Sequence, residues 1–194
     1  AFEGGSSFVG AGIDARSNSI ITIIKSIFRK NGVRSGAGGG TIHVGDSATG
    51  VIDSPLFLEN KNGNGGGVSA SGRSAISILN SIFKSNSGKT GAALLFRGML
   101  CRVTNTIFIE NTAFEAGGAV YLPDTTSTST NNIQIEFIAC NFIRNIAGLD
   151  GGAISSANNN PPKFILHDCN LTENKAHRQG GAIRISGFGT IESM

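Results

Sequence analysis

Two short patterns alternate along this chain, and their spacing constrains the fold more than any other feature. The first is Phe-x-x-Asn: Phe28 with Asn31, Phe57 with Asn60, Phe83 with Asn86, Phe108 with Asn111, Phe142 with Asn145, and Leu171 with Asn174, where Leu replaces Phe. The second is a Gly-Gly-Ala-Ile-like step a few polar residues later, ending in Ile42, Val68, Leu94, Val120, Ile154 and Ile183. Gly10-Ala11-Gly12-Ile13 reads as one further copy of the second pattern, without a recognisable Phe-x-x-Asn before it. Successive final apolar residues, from Ile13 onward, lie 29, 26, 26, 26, 34 and 29 positions apart. A fixed period of this size marks a repeat architecture, in which each unit buries its apolar face only against its neighbours. The longest interval contains the polar stretch from Pro123 to Thr130, expected as a loop at one corner.

Three repeat folds have units of this order. A leucine-rich repeat needs a regular Leu ladder, and this chain offers Phe and Gly instead. A propeller blade needs about 40 residues. The remaining reading is an all-β, right-handed parallel β-helix (solenoid) of about seven coils with a repeat of about 26 residues. Stacked at about 4.8 Å per coil, it makes a rod roughly 30 Å long. The unit reads as one domain over residues 1–194.

Within a unit, residue chemistry alternates as a half-buried strand requires. Ile76 and Ile78 flank Ser77, and Ile135 and Phe137 flank Glu136; Ile21/Ile23, Cys101/Val103 and Phe164/Leu166 are the equivalent inward pairs. The six Phe or Leu residues should stack as a second inward column. The repeated Asn fits an inward ladder at a corner, its amide donating and accepting along the stack so that turn backbone groups are satisfied. The Gly-Gly pair should let the chain turn sharply and pass close to the adjacent coil.

Composition agrees. Only 15% of residues are charged, Gly reaches 28 and Trp is absent, a profile suited to many short strands and tight corners rather than to helices. The net charge of +3 is dispersed, so nucleic-acid binding is not expected, because phosphate tracking needs a concentrated basic face. Membrane insertion by this segment is not expected either, since no apolar run approaches the ~18 residues of a spanning helix. No signal peptide is recognisable at Ala1-Phe2-Glu3. The repeat shows no recognisable cap in sequence at either end, so the chain is expected to be a segment of a longer one. Flanking coils of the same chain, or protein partners, would continue the stack.

Candidate chemistry is sparse. The column after the Gly-Gly step, expected to face outward, reads Asp14, His43, Ser69, Leu95, Tyr121, Ser155 and Arg184; a second, before the Phe, reads Thr22, Val51, Ser77, Arg102, Glu136 and Ile165. Neither pairs two carboxylates, as glycoside hydrolysis or a Ca²⁺-assisted lyase would require. The three His (His43, His167, His177) lack metal spacing, and Asp168 beside His167 should point to the opposite face. No catalytic residue, metal or cofactor is therefore assigned. Cys140 and Cys169 each precede the Phe or Leu of their unit by two residues, which places them one coil apart and within disulfide range; two small buried thiols are the alternative. Cys101 reads as core. Asn170-Leu171-Thr172 is a glycosylation sequon, relevant in a eukaryotic secretory pathway. Tyr121 is the one outward aromatic nominated as a ligand contact.

The paired, in-register motifs resemble the repeats of the polymorphic outer membrane proteins of chlamydiae, over nearly the whole chain from Gly10 to about Ile185. That family's passenger regions are surface-exposed adhesins, so the resemblance implies a binding or structural role without a residue-level mechanism. The expected function is a non-enzymatic stalk, filament or adhesive segment at the cell surface or outside the cell. The alternative is a secreted β-helix that binds or cleaves polysaccharide, in the manner of pectate lyases.

Overall fold

The structure is a computed structural model that describes all residues except 8, 34–38, 124–133, 158–162, 187–190 and 194. It is a parallel β-helix. Among the described residues there are 28 short strands and no helix. The strands form four parallel sheets of seven strands each. One coil shows the scheme: Ile82–Lys84 lies in sheet 1, Ser87–Thr90 in sheet 2, Leu94–Phe96 in sheet 3 and Leu100–Thr104 in sheet 4. The chain then returns to sheet 1 at Ile107–Ile109, beside Ile82–Lys84.

Sheet 1 fixes the period. Its register pairs Phe2 with Phe28, then Phe57, Phe83, Phe108, Phe142 and Leu171 in turn. The steps are 26, 29, 26, 25, 34 and 29 residues, a mean of about 28. Seven strand levels enclose about six full turns, slightly fewer than the seven coils expected, and corner insertions lengthen the repeat beyond 26. The first level also corrects a reading of the sequence. Phe2-Glu3-Gly4-Gly5 is the Phe-x-x-Asn copy that was not recognised, with Phe2 stacked on Phe28 at 4.8 Å. Gly5 stands where Asn stands in later coils, and its N–H donates to Asn31 Oδ1 at 2.9 Å.

Two ladders fill the interior along sheet 1. The Phe rings stack nearly parallel, with centroids 5.0, 4.5, 5.1 and 4.7 Å apart from Phe28 to Phe142. All five are fully buried. Each contributes roughly 1.5–3 kcal/mol by burial, and stacking adds about 0.5–1.5 kcal/mol per pair. Beside them runs the Asn ladder. Asn60 Oδ1 accepts from the backbone N–H (3.0 Å) and Nδ2 (3.1 Å) of Asn31, while Asn60 Nδ2 donates to Phe28 O (3.0 Å) and to Asn86 Oδ1 (2.9 Å). The pattern repeats through Asn86, Asn111 and Asn145 to Asn174.

The ladder explains a costly backbone choice. The residue before each Asn has positive φ: Lys30, Glu59, Ser85, Glu110, Arg144 and Glu173, all between 50° and 57°. A second non-glycine row turns the corner from sheet 4 to sheet 1, at Lys25, Ser54, Asn80, Asn105, Ala139 and Asp168. Side chains in this region cost on the order of 1 kcal/mol each. Buried amide hydrogen bonds and ring stacking over-determine the first corner and hold it there. At the third corner, from sheet 2 to sheet 3, the first glycine of the step is the constrained one. Gly117 has φ +63°, and a Cβ there would lie 2.0 Å from Val120 O.

Candidate functional site

The column after the Gly-Gly step is in register as expected, but it is not an open surface. Asp14, His43, Ser69, Leu95, Tyr121, Ser155 and Arg184 stack one per coil on sheet 3. Yet His43, Ser69, Leu95 and Ser155 are between 0% and 5% accessible, and Tyr121 is half-buried. The reason lies in the arches. At Gly91, with φ +54°, a Cβ would come within 2.9 Å of Tyr121 Cβ, and one on Gly65 within 2.8 Å of Leu95 Cβ. The Gly-Gly arch is therefore laid over the outer side of sheet 3, and strand alternation alone could not reveal the cover.

His43 and Ser69 form a sealed pair beneath it. Ser69 Oγ accepts from Gly40 N–H at 2.8 Å and lies 2.8 Å from His43 Nδ1. Burial pushes the His43 pKa below its ordinary value, which keeps the ring neutral. Asp14, the register neighbour of His43, is taken by Arg16 at 3.0 Å. The three residues thus share a column without forming a relay. His177 Nδ1 lies 3.2 Å from Ala147 O. His167 approaches Asp168 at 2.9 Å, contrary to the opposed orientation expected, because the strand ends at His167 and the positive φ of Asp168 turns its carboxylate back. Among the described residues no group of three His, Cys, Asp or Glu is placed to hold a metal.

One carboxylate missed by the motif reading is buried: Asp150, 3% accessible. Arg178 grips it with two nitrogens, Nε at 2.9 Å from Oδ1 and Nη2 on Oδ2, and Arg184 Nε stands 3.7 Å from Oδ2. The Arg178 hydrogen bond holds the carboxyl below the usual carboxylate range, against the desolvation that would raise it. Arg184 extends the Tyr121–Ser155 column, so this corner combines a half-exposed aromatic with two guanidiniums. The polar stretch expected as a loop near Tyr121 lies, beyond Pro123, outside the described residues.

The outer face of sheet 4 is open from Thr22 to Arg102 and closed at Ile165, which is buried. Its column pairs Thr22 with Val51, Ser77, Arg102, Glu136 and Ile165, and Arg102 meets Glu136 at 2.8 Å. A shallow, mainly apolar depression of about 370 Å³ lies among Thr49, Val51, Ala75, Ser77, Leu100 and Arg102. Exposed aliphatics flank it on sheet 4, Ile20 (79% accessible) and Ile24 (58%), and continue around the corner onto sheet 1 at Ile27 and Ile82. A second exposed aromatic also escaped the sequence reading. Phe114, 78% accessible, sits on sheet 2 where a β-bulge separates the pairs Gly88–Ala113 and Thr90–Ala116. Ala113 is buried, so alternation along Thr112–Ala116 points Phe114 outward.

Cys140 and Cys169 are free thiols here, as is Cys101. Cys101 is in the core, stacked between Ile76 and Ile135. Asn170 is exposed on sheet 1, and Thr172 Oγ1 donates to its Oδ1 at 2.9 Å. No helix among the described residues is long and apolar enough to cross a membrane. Comparisons with family models, with curated proteins and with solved structures returned no match for this chain.

Proposed function

We propose that this chain is a non-enzymatic structural or adhesive β-helical segment of a cell-surface or extracellular protein. The observation that carries the reading is how the polar groups are spent. Inside, the Asn ladder uses its amides along the axis and makes a stiff rod. Outside, charges are matched between adjacent coils, as in Glu3–Arg29 (2.7 Å), Arg102–Glu136 (2.8 Å) and Glu110–Arg144 (2.8 Å). Exposed pairs of this kind are screened by solvent and add little stability, but they favour one register. What remains for contact is long, lightly charged sheet faces, suited to lateral association or attachment. The resemblance to chlamydial polymorphic outer membrane protein repeats supports the same role.

The test is saturable attachment. Beads carrying the purified chain should bind intact cells or extracellular matrix, and soluble chain should compete. Attachment that does not saturate, or that soluble chain leaves unchanged, removes the adhesive arm of the proposal.

A second reading, polysaccharide binding, is favoured by one observation: half-exposed Tyr121 shares a column with Arg184 beside the Asp150–Arg178 pair. Aromatic faces with a few polar groups suit sugar rings. Binding on a glycan array that Tyr121→Ala abolishes supports this reading; an array without binding sinks it.

A further inference from the structure

We infer that Cys140 and Cys169 form a reversibly oxidisable pair, in which Cys169 is the attacking thiol and Cys140 closes the disulfide between adjacent coils. The inference is independent of the adhesive reading and rests on the corner from sheet 4 to sheet 1.

Except at Pro55, the place two residues before the stacked Phe or Leu carries a donor of one kind. Ser26 Oγ donates to Ile24 O (3.1 Å), Ser81 Oγ to Leu79 O (2.7 Å) and Thr106 Oγ1 to Thr104 O (3.0 Å). Cys140 Sγ and Cys169 Sγ make the same bond, to Ile138 O (3.3 Å) and His167 O (3.4 Å). The shared bond fixes the same side-chain direction in each coil. The two Cβ vectors therefore run side by side, one strand spacing of about 4.8 Å apart, inside the Cα range of a disulfide and a few tenths of an ångström from its Cβ range. The register places them on adjacent levels: Asn170 N–H donates to Cys140 O at 2.9 Å, and Asn141 pairs with Asn170. The two thiols are close enough to perturb one another's ionisation.

The two thiols differ in the ways that assign their roles. Cys140 is fully buried, whereas Cys169 is partly exposed. A hydrogen bond from Cys140 favours the thiolate at Cys169, bringing its pKa to about 7. The same contact, with burial, pushes Cys140 well up. Burial raises Cys101 too, and its place in the core removes it from exchange. With a small disulfide such as oxidised glutathione as oxidant, the Cys169 thiolate attacks one sulfur and a glutathione thiolate leaves. Cys140 then attacks the Cys169 sulfur of the mixed disulfide, and the second glutathione thiolate departs. Two protein thiols are oxidised, one small disulfide is reduced to two thiols, and the Cys140 proton passes to a departing thiolate.

The experiment is incubation of the reduced chain with oxidised glutathione at pH 7.5, followed by alkylation in denaturant and peptide mass mapping. The expected product is one peptide pair linked through Cys140 and Cys169, lighter by two hydrogens, with Cys101 alkylated. Cys140→Ser should trap glutathione on Cys169, and Cys169→Ser should leave Cys140 unmodified. Both variants keep the corner donor, as Ser26 and Ser81 do, so the fold is retained, and far-UV circular dichroism checks this. Glutathione that persists on Cys169 in the unaltered chain, or oxidation of Cys140 in Cys169→Ser, overturns the inference.

Discussion

Replacing Asn86 by Ala removes one rung from the middle of the Asn ladder, and the consequence follows bond by bond. Asn86 Oδ1 accepts from Asn60 N (3.1 Å) and Asn60 Nδ2 (2.9 Å), and Asn86 Nδ2 donates to Phe57 O (3.2 Å) and Asn111 Oδ1 (3.0 Å). Asn60 Nδ2 keeps Phe28 O, and Asn111 Oδ1 keeps the Asn86 backbone N–H, so neither group is left bare. Asn60 N–H and Phe57 C=O lose these partners inside a corner where both residues are fully buried. A buried group stripped of its partner costs about 1–3 kcal/mol, so the substitution should destabilise by about 4 kcal/mol. Nothing is recovered from the corner itself, because Ser85 still holds φ +53° without the ladder that stabilises it. In urea, with a slope of about 1–3 kcal/mol/M, the midpoint should fall by roughly 1–4 M at unchanged slope. Far-UV circular dichroism reads the transition. Asn80→Ala is the control, since Asn80 is a corner Asn whose side-chain bonds to Asp53 and Asn105 are exposed, and it should cost under about 1 kcal/mol. Equal losses at Asn86 and Asn80 would refute the argument that buried satisfaction, rather than a preference for Asn at turns, selects the residue.

Further outcomes follow from the same architecture. Phe83→Ala should cost about 3–5 kcal/mol, because the ring is fully buried between Phe57 and Phe108, while Phe83→Leu should cost only about 1–2 kcal/mol since Leu171 occupies the same column; urea midpoints distinguish them. Gly117→Ala should disrupt the corner, given φ +63° and a backbone oxygen 2.0 Å from the new Cβ, and soluble yield with a far-UV spectrum would show it; a variant that folds normally contradicts the corner-glycine argument. Asp150 supplies a pH dependence whose sign is set by its depressed pKa. Its contribution is present above the unfolded carboxylate value of about 3.9 and is lost as pH falls through the lower folded value. Unfolding midpoints from pH 7 to pH 2 should therefore separate the unaltered chain from Asp150→Asn at neutral pH and converge in acid. Curves that stay parallel would exclude the carboxylate as the source.

The Phe-x-x-Asn and Gly-Gly-Ala-Ile patterns determined the solenoid, the inward columns and the one-coil stacking of Cys140 on Cys169. They did so because a parallel stack repeats each chemical requirement at every level, and a requirement met six times is visible in one dimension. Phe2 was hidden for the complementary reason: Gly5 replaces Asn and receives its ladder bond through its backbone, so the motif vanished while the position remained. What only the tertiary structure decided is how one part of a coil covers another. The arches over sheet 3 buried His43, Ser69, Leu95 and Ser155, and Arg178 reached across a coil to Asp150. Strand alternation reports the side of its own sheet on which a residue lies, but solvent access depends on what the rest of the coil lays over that side.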